Sequence, residues 1–296
     1  MATQYTHQSE NVAKTWMFLG GFFLLIIAIG FVFAQVYGNS TILYFAVIVS
    51  IVMNVGSYWW SDKIVLSMVH AQPVTREDHP DLWNTVENLA ITAGLPMPAL
   101  YTVDDPSPNA FATGRDKEHA AVVVHTGLLS ILDKSELEGV IAHELSHIGN
   151  RDILISTIVV VLAGMISLLA NWFLHSMMFG GRDRENKGGA IFVLIGIALS
   201  ILAPFFALLL QLAISRKREY LADASGALLT RYPEGLASAL EKIGGAAIPS
   251  TTSKEALATL YFSNPESAKK SYFSSLFMTH PPIEERVALL RGMNTP

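Results

Sequence analysis

Of the 296 residues, 51% are hydrophobic and only 15% charged, where soluble domains carry nearer a quarter charged residues, so the composition points to a membrane. The net charge of −5 gives no argument for a nucleic-acid partner. There is no cysteine, which excludes disulfides and any thiolate metal site and leaves His, Asp and Glu as the side chains for a metal; it also fits a reducing compartment.

Residues 1–14 are polar and read as a short amino-terminal tail. Residues 15–61 carry no charge at all. That run divides at Tyr37, Gly38, Asn39 and Ser40, a turn-forming cluster. The two parts, about 16–36 and 41–60, are each long enough to cross a bilayer. A transmembrane hairpin is expected here rather than a cleaved leader. The apolar stretch is too long for one, it lacks a small-x-small cleavage site, and a second span follows at once. Trp59 and Trp60, followed by Asp62 and Lys63, mark a membrane interface.

Residues 62–152 have ordinary soluble composition. Periodicity predicts a helix over 81–93, with Leu82, Val86, Leu89 and Ala90 on one face and Gly94, Pro96 and Pro98 ending it. Short strands are expected at 99–103, 110–113 and 120–125, separated by Pro, Asp and Gly turns. Ser135 is the expected N-cap of the next helix, which carries His143-Glu144-Leu145-Ser146-His147. Two further uncharged runs, 153–181 and 188–215, flank the charged stretch 182–187. They predict a second hairpin over 153–215, with spans of about 153–178 and 189–215. Residues 216–296 return to soluble composition, with helices expected at 216–230, 233–243 and 254–262, a polar loop at 263–275 and a last helix from near Pro282. No internal repeat is present.

Residues four apart share a helical face. His143 and His147 can therefore bind one metal ion, and Glu144 can reach a water beside it; H-E-x-x-H on a helix is the zinc-peptidase pattern. Alone, the pattern also fits a polar patch on an amphipathic helix. Glu219 and Asp223 are likewise four apart and follow the predicted fourth span directly. A catalytic zinc takes three protein ligands and keeps one position open, and His, His, Glu is a known set. Ligating histidines usually give their other N–H to a carboxylate. Glu219 as third ligand and Asp223 as that carboxylate meet both needs; the competing reading is a charged helix face paired with Arg216 or Arg218. Two predicted spans lie between His147 and Glu219, an even number, which returns both to one side of the membrane.

These residues resemble the HtpX-type membrane-embedded zinc metalloproteases, relatives of the CAAX prenyl proteases in the group whose third zinc ligand is Glu. The likeness runs over nearly the whole chain. It includes the first hairpin, Asn109 with Ala110, Phe111, Ala112, Thr113 and Gly114, the His143 to His147 signature, residues 216–223, and Phe277 to Pro282 with Arg286. The resemblance implies a mostly α integral membrane protein, with four transmembrane helices and a Glu-zincin-like α+β catalytic domain on the cytoplasmic side. Residues 62–152 and 216–296 would be the two parts of that domain. It implies hydrolysis of peptide bonds with one Zn2+ held by His143, His147 and Glu219. Glu144 would take a proton from the attacking water and hand it to the leaving amine. Asn109, Ala110, Phe111 and Ala112 would form an edge strand that pairs with an extended substrate. His280 and Arg286 would lie near the active site, to stabilise the oxyanion or, for Arg286, to hold a substrate carbonyl; a purely structural role stays open for both. The implied role is proteolytic quality control of misfolded or damaged membrane proteins under stress.

Six cationic residues, Lys14, Lys63, Arg151, Arg216, Lys217 and Arg218, flank the spans on the side of the site, against three, Arg182, Arg184 and Lys187, on the other. Positive charge collects inside, so the site is expected to face the cytoplasm from the bacterial inner membrane. If the ligand-bearing helices run unbroken into their spans, the metal lies on the order of 6–9 Å beyond the apolar run. Expected partners are protein substrates, chiefly membrane proteins, and the lipid bilayer. A CAAX-type maturation protease shares the motifs, but four spans are few for its large chamber. A non-catalytic scaffold or transporter with a structural metal would need a fourth ligand and, for transport, charges within the spans.

Overall fold

The computed structural model describes residues 4–179, 216–246 and 281–293. The predicted fourth span, the charged stretch 182–187, the helix expected at 254–262, the loop at 263–275 and His280 lie outside them.

Helices α1 (Gln4–Tyr37) and α2 (Thr41–Trp59) form the first hairpin. Gly38, in the left-handed region at φ 63°, makes the turn that a side chain would strain. The hairpin closes tightly, since a methyl at Gly30 would overlap Ala46. Two candidate spans, Asn11–Gln35 and Thr41–Trp59, are only 28% and 11% buried, so most of their apolar surface faces outward, as lipid requires. The first helix starts well before the expected span. The tail expected at 1–14 is helical from Gln4, and Asn11 and Thr15 are buried.

Helix α3 (Ser61–Met68) and the short strand β1 (Gln72–Pro73), neither expected, lead to α4 (Pro80–Ala93), which ends at left-handed Gly94. Strands β2 (Ala99–Val103), β3 (Ala110–Gly114) and β4 (Ala120–His125) fall at the expected positions. The sheet order is β1-β2-β4-β3, with β2 and β4 parallel and the other pairs antiparallel. Every residue of β3 and β4 is buried, because the sheet is covered on both faces. Ala110, Ala112, Val122 and Val124 face a core built from α4, from α6 (Lys134–Gly149) and from the later helices. Phe111, Ala121 and Val123 face Phe22, Val65, Ile155 and Ile158 of α1, α3 and α7 (Asp152–Phe179). The membrane-side helices thus form one wall of the soluble core, and the opening turns of α7, through Ala163, are covered by protein.

Two expectations about the signature helix are corrected. Its N-cap is Asp133, not Ser135. The Asp133 carboxylate accepts from the Glu136 amide at 3.0 Å, and Glu136 accepts from the Asp133 amide at 2.8 Å, a reciprocal box that a Ser at 135 is too late to make. Nor does the helix run unbroken into the predicted third span. It stops at Gly149, Arg151 adopts φ 58°, and α7 leaves at 86° to α6. Helix α5 (Thr126–Ile131) joins the sheet to α6. Helices α8 (Arg216–Thr230) and α9 (Pro233–Gly245) then pack on α6 and on each other, and α10 (Ile283–Arg291) packs on both α8 and α9. Contact is close at Gly226, where an added methyl would lie 2.9 Å from the His143 backbone nitrogen, and at Gly139, where it would lie 2.7 Å from that of Leu236.

Candidate active site

Helix α6 is covered by the sheet on one side and by α8 on another, so its polar motif sits in a largely buried seam. His143 and Glu144 are buried, and His147 is partly buried at the end of the row. The histidine rings meet edge to face, with Nε2 atoms 3.1 Å apart. Glu219 arrives from the first turn of α8. Its carboxylate oxygens lie 3.8 Å from His143 Nε2 and 3.7 Å from His147 Nε2. One ligand atom from each of the three residues falls within a common 4.8 Å. Two nitrogens each about 2.0–2.1 Å from a tetrahedral zinc would stand roughly 3.3 Å apart, so the donor set and its spacing fit one such ion.

The other side of each ring is held. His143 Nδ1 lies 2.9 Å from Asp223 Oδ1, and His147 Nδ1 lies 3.1 Å from Asp152 Oδ2. Each contact puts the ring proton on Nδ1 and leaves the Nε2 lone pair for the shared centre. Burial pushes His143 down to about 4, which favours the neutral ring a metal needs. Asp223 is in turn gripped by Arg286, whose Nε and Nη2 donate to its two oxygens at 2.8 and 2.6 Å. Burial alone would raise Asp223, but the hydrogen bonds from Arg286 and His143 hold it at about 2.

Glu144 is pushed up to about 7, chiefly by burial, with the charge of Glu219 adding to it. A carboxylate with that affinity can take a proton at neutral pH and give it back. The Ala112 amide also donates to it, which brings the edge strand β3 directly against the base. In the pairing of β3 with β4, residues 110, 112 and 114 turn their amides away from β4. Ala110 donates to its neighbour Asn109 Oδ1 at 2.9 Å, and Gly114 to Thr157 Oγ1 of α7 at 3.2 Å.

The fold therefore brings together nearly every residue expected from sequence within the described region. His143, Glu144, His147, Glu219 and Asp223 converge; Asn109, Ala110, Phe111 and Ala112 form or adjoin the strand beside Glu144. Arg286 is near, but its guanidinium is committed to Asp223, and the Phe111 side chain turns to the opposite face of the sheet. His280 is outside the described residues. Sequence reasoning missed Asp152. Five residues past His147 it would leave the ligand face of an unbroken helix, and only the bend at Arg151 swings it back. Nor does the sequence give His125 a role. That ring is buried, with Nδ1 at 3.2 Å from Ser107, and ties down the loop that leads into β3.

This is a membrane-associated α+β fold with a His, His, Glu metal-type centre. The sequence profile of peptidase family M48 matches residues 76–294. A protease HtpX homolog of Caldanaerobacter subterraneus subsp. tengcongensis is 47% identical over 98% of both chains. One from Tropheryma whipplei is 46% identical, again over 98% of both. The crystal structure of S. mikatae Ste24p shares the fold, with a TM-score of 0.51 at 20% identity, over 94% of this chain and 67% of that one. The chain belongs to peptidase family M48 and is a membrane metallopeptidase, a hydrolase acting on peptide bonds.

Proposed function

We propose that the chain is a zinc endopeptidase of the bacterial inner membrane, that four spans place its site at the cytoplasmic face, and that it cleaves misfolded or damaged membrane proteins as stress-linked quality control. The observation that carries this reading is the convergence of His143, His147 and Glu219 beside a buried carboxylate and an edge strand. His143, His147 and Glu219 are assigned as the ligands of one zinc ion. Zinc, when bound, would polarise the scissile carbonyl and acidify a water.

The remaining steps fall to the chain's own groups. Asp223 and Asp152 fix the two rings, and Arg286 fixes Asp223. Glu144 takes the proton of the attacking water and returns it to the leaving amine. An extended substrate lies along β3, displacing Asn109 and Glu144 from the Ala110 and Ala112 amides and pairing through its backbone, which tolerates many sequences. Arg286 acts by positioning Asp223, while His280, which lies outside the described residues, is assigned from the family resemblance to stabilising the oxyanion. Three observations support a membrane-proximal substrate. The site's helix α6 turns directly into α7, Trp59 stacks under Arg115 at the end of α2, and the sheet rests on α1 and α7. The excess of Lys and Arg on the site's side supports the cytoplasmic orientation.

The test is Glu144→Gln in the purified full-length protein, with an unfolded or membrane protein as substrate. Cleavage is expected to vanish while one zinc per chain is retained. Wild-type cleavage by that variant would refute the role of Glu144, and full zinc retention by Glu219→Ala would refute the third ligand.

A further inference from the structure

We infer that the amino-terminal span is part of the metal site, through Asn11 of α1 acting as a positioning residue for His147 by way of Asp152. This rests on the assignment of His147 as a metal ligand. Asn11 Nδ2 donates to Asp152 Oδ1 at 2.8 Å, across a sequence separation of 141 residues. The other oxygen of Asp152 is the one that meets His147 Nδ1 at 3.1 Å. Arg218, one residue before Glu219, closes the group. Its Nη1 donates to Asn11 Oδ1 at 3.4 Å and lies 3.6 Å from Asp152 Oδ1.

All three polar side chains are buried, Asn11 to 3%, Asp152 to 4% and Arg218 to 7% exposure. A buried carboxylate needs its lone pairs met. Asp152 has two oxygens and two tasks: one orients the ring, and the other is held so that the first cannot turn away. Asn11 supplies that second contact with its amide N–H, and its carbonyl takes a donor from Arg218, so a single Asn serves both neighbours. A side chain without a donor leaves Asp152 Oδ1 facing Arg218 alone, and the 3.6 Å ion pair can then draw the carboxylate off His147. Asp152 stands at the first position of α7 and Asn11 at the lower end of the candidate span Asn11–Gln35. The ring of His147 is thereby tied to the packing of α1 on α7, and not to a continuous helix entering the membrane.

A purely structural role, in which Asn11 merely docks α1, predicts lower thermal stability with unaltered metal chemistry. The measurement is zinc affinity of the full-length protein in lipid nanodiscs, by competition with a chromogenic chelator, together with the visible spectrum of the Co2+ form. Asn11→Leu is expected to weaken zinc on the order of tenfold and to shift the cobalt bands; Asp152→Ala is expected to weaken it 10- to 100-fold, the usual range for such partners. The double variant should be no weaker than Asp152→Ala alone, because Asn11 acts through that carboxylate. Thr15→Val, which removes a hydroxyl that among the described residues donates only to the Asn11 carbonyl, at 2.8 Å, should bind zinc as wild type. If Asn11→Leu fails to insert, Asn11→Ala carries the same comparison. Wild-type affinity and cobalt bands in the Asn11 variant, or additive effects in the double variant, overturn the inference. Wild-type affinity in His147→Ala instead overturns the ligand assignment beneath it, so the two failures are distinct.

Discussion

Gly226→Ala tests whether the metal centre depends on how closely α8 lies against α6. A Cβ at Gly226 would sit 2.9 Å from the His143 nitrogen, 3.2 Å from the Ala142 carbonyl carbon and 3.2 Å from the His143 Cα. All three are backbone atoms of α6 and cannot swing aside. Ordinary contact starts at 3.4 Å, so α8 must retreat by about 0.5 Å, close to the roughly 0.5 Å tolerance of a functional constellation. Glu219 is seven residues earlier, two turns along the same face, and moves with it. Its oxygens stand 3.7 and 3.8 Å from the two ring nitrogens, so a retreat carries them away from the roughly 3.3 Å that donors sharing one tetrahedral zinc keep. Overpacking costs about 1–3 kcal/mol, while replacing a mid-helix Gly by Ala returns about 1 kcal/mol. Net stability should therefore fall by no more than about 2 kcal/mol, whereas metal affinity should drop at least about tenfold. Zinc competition and thermal melting of the purified protein read the two separately. Gly245→Ala, with nothing within 4 Å, is the control and should leave zinc binding unchanged. If Gly226→Ala bound zinc as tightly as wild type and melted no lower than the control, the coupling of helix spacing to the ligand set would be wrong.

Other outcomes follow from the same geometry. Arg286→Lys keeps the charge but loses the paired hydrogen bonds to Asp223; it should weaken zinc binding and lower kcat/KM together, whereas a direct contact with substrate would lower kcat/KM with zinc affinity intact. Arg286→Leu leaves Asp223 buried without its cation and should cost about 3–5 kcal/mol in melting experiments. Glu136 is raised by burial but held below its usual 4.5 by hydrogen bonds from Lys242 and Ser238. Because its folded value is the lower one, its stabilisation is complete above 4.5 and disappears as pH falls through the folded value. Glu136→Gln should cost about 1–3 kcal/mol at neutral pH and flatten the loss of thermal stability below pH 4.5; an unchanged acid profile would count against the Glu136–Lys242 contact at 2.6 Å. Dialysis against a chelator should abolish peptide cleavage, and stoichiometric zinc should restore it; full activity in metal-depleted protein would contradict the assigned centre.

Much of the site was legible from spacing because its parts are local. The i, i+4 pairs His143–His147 and Glu219–Asp223 are set by helical periodicity alone, whatever surrounds them. The strands at 99–103, 110–113 and 120–125 were marked by turn residues at their ends, and the first hairpin by the absence of charge across 15–61. Residue chemistry without cysteine restricted the donors to His, Asp and Glu. Those signals point to a membrane protein with a candidate His, His, Glu centre, and the family resemblance carried by the motifs implies the class.

What only the tertiary structure decided is which polar groups meet across long separations. Asn11 and Asp152 are 141 residues apart, and Arg286 and Asp223 are 63 apart; no periodicity connects them. The left-handed Arg151 carries no local signal either, yet its bend of 86° turns Asp152 from a residue on the wrong face into the partner of His147. Arg286 was chemically ambiguous in sequence, since a guanidinium serves an oxyanion or a carboxylate equally well, and its place beside Asp223 was settled by the packing of α10 on α8. The amino-terminal polar stretch looked like a tail because burial of Asn11 and Thr15 depends on helices that form far along the chain. Helical periodicity sets the face on which a side chain stands; the packing of distant helices sets what that side chain meets there.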